Sequence, residues 1–279
     1  RALAAAPFSH AGPPRLRLSL TAFSLQRYFT VNRGKAVTGI AAGKALDMFK
    51  FIDYCATQGL DGAELTSYYF AEDTTDYMVK LRRHCFLRGI AVSGTAIANN
   101  FSLSKGTARD QDIAHVKKWI NLAAVLGAPH IRVFIGQNNE VPRAEADKLA
   151  IVGLEECGDY AGRHGIFLGI ENHDVSNSAA RLIPILQATQ SPWVGLNIDP
   201  GINTADPYKD FAACVPYASN IHLRTEFNAA GKKYNTDFKR IGRLLRDGGY
   251  QGWVAYKHEL PSDPMSDIPP VLQRMKALQ

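Results

Sequence analysis

Gly165-Ile166-Phe167-Leu168-Gly169-Ile170-Glu171-Asn172-His173-Asp174 is an apolar run that ends abruptly in a carboxylate, an amide, an imidazole and a second carboxylate. A near-continuous apolar segment of this length reads as a buried parallel strand, and its polar tip as the place where the strand opens into a site. The pattern returns downstream as Trp193-Val194-Gly195-Leu196-Asn197-Ile198-Asp199 and as Asn220-Ile221-His222-Leu223-Arg224-Thr225-Glu226. It appears a last time as Gly252-Trp253-Val254-Ala255-Tyr256-Lys257-His258-Glu259. Four strand ends therefore carry Glu171, Asp199, His222 and Glu259 in chain order.

Upstream of this stretch, Arg15-Leu16-Arg17-Leu18-Ser19-Leu20 reads as a first strand and Gly62-Ala63-Glu64-Leu65 as a second, with Glu64 near its end. Ile90 to Ala96 and His130 to Phe134 read as the third and fourth, the last carrying Arg132. Helical stripes alternate with the strands. Met48, Phe51, Ile52 and Cys55 share one face, as do Met78, Leu81 and Cys85, and Ile113, Val116, Ile120 and Ala123. A fourth helix, from Arg143 to His164, is expected to bury Leu149, Val152, Cys157 and Tyr160. Helices are also expected near 178–190 and 208–217, then at Asp237 to Asp247 and Asp267 to Leu278. Eight strand–helix pairs without a shift in composition predict a single-domain (β/α)₈ TIM barrel over residues 15–279. The competing doubly wound sheet lacks support, because no Gly-rich phosphate fingerprint follows the first strand.

Hydrophobic residues make up 46% of the 279, enough to fill one large core, and no apolar run approaches the roughly 18 residues that span a bilayer. The formal charge of +6 is scattered and not interleaved with aromatics, which argues against a nucleic-acid surface and for an ordinary solvated one. Cys55, Cys85, Cys157 and Cys214 lie far apart with no CxxC, as buried free thiols do. Residues 1–14 read as a flexible tail. Its Ala-rich start, Arg1-Ala2-Leu3-Ala4-Ala5-Ala6-Pro7, resembles the small-residue region beside a secretion-signal cleavage site, so exported and cytoplasmic locations stand level.

In such a barrel all strand C-termini face one mouth, so Glu171, Asp199, His222 and Glu259 would ring it. Carboxylates and an imidazole around open coordination positions suit Mn²⁺, Mg²⁺, Co²⁺ or Zn²⁺, with manganese favoured. Without a cation the carboxylates would repel one another.

At these residues the chain resembles the xylose isomerase-like TIM-barrel superfamily of sugar phosphate isomerases and epimerases. The resemblance is carried by Gln58-Gly59-Leu60-Asp61-Gly62-Ala63-Glu64-Leu65, Gly169 to His173, Leu196-Asn197-Ile198-Asp199-Pro200-Gly201, Ile221-His222-Leu223-Arg224 and Gly249-Tyr250-Gln251-Gly252-Trp253. It implies a divalent metal held by the Glu of strand five, the Asp of strand six, the His of strand seven and a Glu of strand eight. The first three fall on Glu171, Asp199 and His222. The fourth position holds Lys257, and the next residue on the same strand face is Glu259. Three outcomes follow: Glu259 reaches back as a ligand, water completes the shell, or Lys257 replaces the cation.

The chemistry expected of this arrangement is proton removal next to a sugar carbonyl through a stabilised enediolate. Glu171, His173 and Lys257 are the candidate acid–base residues, Lys257 only if its neighbours lower its pKa. Glu64, Arg132 and Arg224 are candidates for holding the substrate, a sugar or glycoside. If that substrate is a 3-keto-glycoside, loss of the C2 proton lets the C1 substituent leave, which makes the protein a lyase. A metal-free sugar-binding or partner subunit is the third reading, and Lys257 is the residue in its favour. An apurinic endonuclease would need further His and Asp ligands that the other strands lack. No nucleic-acid or membrane partner is expected, and a homo-oligomer is compatible with the sequence.

Overall fold

The computed structural model describes residues 8, 10–172, 178–200, 204–229 and 231–278. Eight parallel strands close into a barrel. They are β1 (Leu16–Thr21), β2 (Gly62–Thr66), β3 (Ala91–Ala96), β4 (His130–Val133), β5 (Phe167–Glu171), β6 (Val194–Ile198), β7 (Ala218–Leu223) and β8 (Gly252–Tyr256). Each pairs with its neighbour in sequence order, and β1 closes the ring by pairing with both β2 and β8. The (β/α)₈ TIM barrel expected from the sequence is therefore the observed fold, in one domain.

Helices α1 (Met48–Thr57), α2 (Thr75–Leu87), α3 (Thr107–Leu126), α4 (Arg143–Gly162), α5 (Ala179–Ala188), α6 (Pro207–Cys214), α7 (Phe238–Asp247) and α8 (Pro264–Met275) follow the strands in turn. Their starts are chemically marked. The carboxylate of Asp47 accepts from the Lys50 amide (2.8 Å), and that of Asp237 from the Arg240 amide (3.0 Å), each satisfying one of the amides a helix start leaves unpaired. Helix α8 begins at Pro264, ahead of the expected Asp267, because Asp263 caps it and proline suits the first helical position. Gly127 ends α3 in the left-handed conformation (φ 81°), where its amide bonds back to Ala123.

The buried face of α4 differs from expectation. Cys157 is buried as expected and Leu149 and Tyr160 are half-buried, but Val152 is 55% exposed, and the buried set is completed by Ala146, Ala150, Gly153, Leu154, Gly158 and Ala161. Small residues let this helix lie close against the barrel: a Cβ at Gly158 would stand 2.6 Å from Val194, and one at Gly162 2.3 Å from Trp193. A choice of the largest apolar side chains misses most of the buried stripe in such a helix.

Residues 8 and 10–14, expected as part of a flexible tail, pack on the N-terminal end of the barrel. The Phe8 amide bonds to the Pro216 carbonyl (2.8 Å), and its ring meets Phe167 edge-on at 5.4 Å. Gln251 donates to the Ala11 carbonyl (2.8 Å). Residues 1–7 lie outside the described part of the chain. Trp253 belongs to the same end, paired with Arg17 across β1 and β8, with the guanidinium 5.5 Å from its ring. Two short hairpins that the sequence reading did not anticipate decorate the loops, one at Val31–Asn32 with Lys35–Ala36 and one at Glu226–Ala229 with Lys232–Asn235.

Candidate functional site

Glu171 is the last residue of β5, Asp199 follows β6, His222 lies in β7, and Lys257 and Glu259 follow β8. These four strands are consecutive around the ring, so side chains at their ends converge on one sector of the barrel, and the Lys257 side chain reaches past β7 and β6 to Glu171. The Lys257 ammonium donates to Glu171 Oε1 and to Asp199 Oδ2, both at 2.8 Å, and lies 3.3 Å from Glu259 Oε1. The Lys257 backbone amide bonds to the Leu223 carbonyl (2.8 Å), which continues the β7–β8 ladder and aims the side chain inward. Arg224 donates to Asp199 Oδ2 (2.6 Å) and pairs with Glu259. On the other side, Arg132 Nε lies 3.3 Å from Glu171 Oε2, an ion pair without hydrogen-bond alignment.

His222 stands between two carboxylates, with Nε2 2.8 Å from Glu64 Oε2 and Nδ1 3.3 Å from Glu171 Oε1. Two asparagines support this pair. Asn220 donates to Glu64 Oε2 (3.1 Å) and to Asn197 Oδ1 (2.6 Å), and Asn197 Nδ2 lies 3.1 Å from His222 Nδ1. The sheet register shifts at Ala63/Glu64 and at Leu196/Asn197, so two of these side chains sit at irregularities of the kind that re-aim a residue.

Burial alone would favour neutral carboxyls, but the cations override it. Glu171 is held well below the ordinary range by Lys257 and Arg132, and Asp199 falls to about 2 beside Arg224 and Lys257. Burial likewise opposes the charge on His222, yet Glu64 and Glu171 push it up to about 9. For Lys257, burial lowers the pKa but Asp199 and Glu171 raise it above the ordinary lysine value. The condition under which Lys257 could act as a base is thus not met.

The expected residues distribute as follows. Glu171, Asp199, His222, Lys257, Glu259, Arg132 and Arg224 form one connected cluster. Glu64 belongs to it as well: it is 1% exposed, and its carboxylate meets His222. Glu259 binds the two cations Arg224 and Lys257 and does not join the Glu171–Asp199–His222 group. His173 lies outside the described residues. Asn197 and Asn220 were missed, although each precedes a site residue by two positions, the spacing that returns a strand side chain to the same face. Asn172 was also missed; its amide pairs with the backbone of Asp199 at both ends (2.6 and 2.9 Å) and fixes that loop against β5.

Ligand atoms of Glu171, Asp199 and His222 lie within 4.8 Å of one another, and as a donor set this buried group could hold a metal ion. It does not fit one alongside Lys257. The ammonium already engages an oxygen of each carboxylate, and a metal sharing those oxygens would put a second cation beside it where little water screens them.

The sequence profile described as xylose isomerase-like TIM barrel matches residues 52–278. The chain belongs to that family. Comparison with curated proteins finds no match. Among solved structures, the fold is similar to a xylose isomerase domain protein from Planctomyces limnophilus, with 16% identity over 96% of this chain and 98% of that one, at a TM-score of 0.68. It is similar also to the 3-keto-D-glucoside 4-epimerase YcjR from E. coli, with 14% identity over 94% and 100% and a TM-score of 0.70. A D-psicose 3-epimerase matches at 16% identity over 92% and 89%, with a TM-score of 0.69. Among the described residues no helix is long and apolar enough to cross a membrane.

Proposed function

We propose that the protein is a sugar isomerase- or epimerase-like enzyme that removes and returns a proton at the carbon beside a carbonyl. The observation that carries this reading is the cluster itself: two carboxylates, an imidazole and fixed cations meet at the strand ends of a barrel whose structural neighbours include sugar epimerases. Two neighbours are named for a 3-keto-glucoside and a ketose, which supports a neutral keto-sugar as the substrate class.

In this reading Glu171 is the base. It is ionised, but Lys257 and Arg132 make it a weak proton acceptor in the resting site. When the substrate carbonyl becomes an enediolate, its oxygen competes for the Lys257 ammonium. As that bond shifts from Glu171 to the oxyanion, the carboxylate loses its strongest partner and gains proton affinity at the moment it must accept the proton. His222, bonded to both Glu171 and Glu64, passes charge away from the site without contacting the sugar. Asp199 and Arg224 hold Lys257 and its surroundings in position.

Incubation with a ketose and with a 3-keto-glucoside in D₂O tests the proposal. Deuterium uptake at the carbon beside the carbonyl is expected, lost in Glu171→Gln by about 10²-fold or more. Release of the C1 substituent from the 3-keto-glucoside, with elimination outpacing exchange, would assign the lyase reaction instead. A second reading, a sugar-binding subunit without catalysis, is favoured by the saturation of Glu171, both of whose oxygens already face cations. Sugar binding without any deuterium uptake would select it.

A further inference from the structure

We infer that the side chain of Lys257 is the built-in cation of this site, and that the Glu171–Asp199–His222 group takes no divalent metal while that lysine is present. Nζ is within 2.8 Å of two members of the group and 3.3 Å of Glu259, so three carboxylates surround an ammonium that has three hydrogens to give. The side chains of Glu171, Asp199 and Lys257 are 1%, 2% and 6% exposed, and the Phe23 ring stands 5.3 Å from the ammonium. Withdrawing the ammonium would leave the buried carboxylates of Glu171 and Asp199 without the cation that each engages, a costly state.

Among the described residues, Glu64, Glu171, Asp199 and Glu259 contact one another's partners Arg132, Arg224 and Lys257, with His222 between two of the acids. Four carboxylates against three fixed cations leave one negative charge even with a neutral imidazole, half of what a divalent ion would bring. A neutral side chain in place of Lys257 leaves two, which matches such an ion, and a glutamate leaves three.

Titration of metal-stripped protein with Mn²⁺, followed by the electron paramagnetic resonance of free manganese and by calorimetry, tests the inference. Wild type is expected to bind no stoichiometric Mn²⁺. Lys257→Glu is expected to bind one ion per chain, at least about 100-fold more tightly than any wild-type binding, because the bound charge that opposes the metal is gone. Lys257→Met, uncharged and of similar length, carries the same expectation with weaker binding if the glutamate variant does not fold. One Mn²⁺ per wild-type chain, or no binding by a folded variant of either kind, overturns the inference. Neither assay contains a sugar, so the outcome is separate from the proton-transfer reaction: an active protein that binds manganese at this group defeats the inference and the oxyanion role given to Lys257, and leaves the reaction standing.

Discussion

His130 shows how a single side chain can be buried for shape and leave a chemical signature. It is 2% exposed, both ring nitrogens lack a hydrogen-bond partner among the described residues, and Cβ atoms added at Gly94 and Gly169 would come within 3.1 and 2.1 Å of the ring. Burial lowers its pKa from 6.5 to about 3. The unfolded chain therefore binds a proton between these values that the folded chain refuses, and stability must fall as pH drops through 6.5 toward 3, by at most about 1.4 kcal/mol per pH unit from this group. His130→Phe is expected to remove that slope: urea unfolding of variant and wild type at pH 7, 6 and 5 should show their difference growing in the variant's favour as the pH falls. Single positions were legible in the sequence where an apolar run stopped at a charge, as at Glu171 and Asp199. The role of Glu64 was not legible, because nothing in its own segment reveals that the partner across the barrel is His222, 158 residues away. His130 carried no local signal either.

Helices and strands were recovered wherever apolar residues repeat with one period, and lost where packing depends on what is missing. Helix α4 is the clear case, since its contact surface is a row of alanines and glycines. Gly158→Ala is expected to destabilise by about 1–3 kcal/mol, because the new methyl must displace Val194 and Ser191 in a packed core. Val152→Ser, on the outward face of the same helix, should change stability by less than about 0.5 kcal/mol. Chemical denaturation of the pair would separate the two faces, and a Val152 effect larger than that of Gly158 would contradict the assigned packing. The hairpin Glu226–Ala229 with Lys232–Asn235 escaped the sequence reading for another reason: it is an insertion in a βα loop, and no periodic pattern requires it.

The whole barrel divides its labour between two ends. The strand C-termini carry the charged cluster, and the strand N-termini are closed by Phe8, Phe167, Trp253 and Arg17. The alternation of eight strands and eight helices made this architecture readable, since only closure gives every strand a partner. The cover at the base was not readable, because the small and polar residues on either side of Phe8 look like a tail. Phe8→Ala is expected to cost about 1 kcal/mol of packing and to lower the melting temperature by about 2–4 °C, a change calorimetry resolves. Sugar affinity, measured by titration, should stay unchanged; a parallel loss of affinity would show that the ends are coupled.

The near-complete pairing of acids and bases around Lys257 has a kinetic meaning. A mouth whose charges cancel at short range projects little field into solvent, whatever the formal +6 of the chain. Encounter with a neutral sugar then depends on diffusion and shape. The association rate measured by stopped flow should differ by less than about twofold between 20 mM and 500 mM salt, where the screening length shrinks severalfold. An anionic ligand drawn in by the lysine and arginines would slow markedly over the same range, so the salt dependence of capture reports on what kind of molecule this mouth is built to meet.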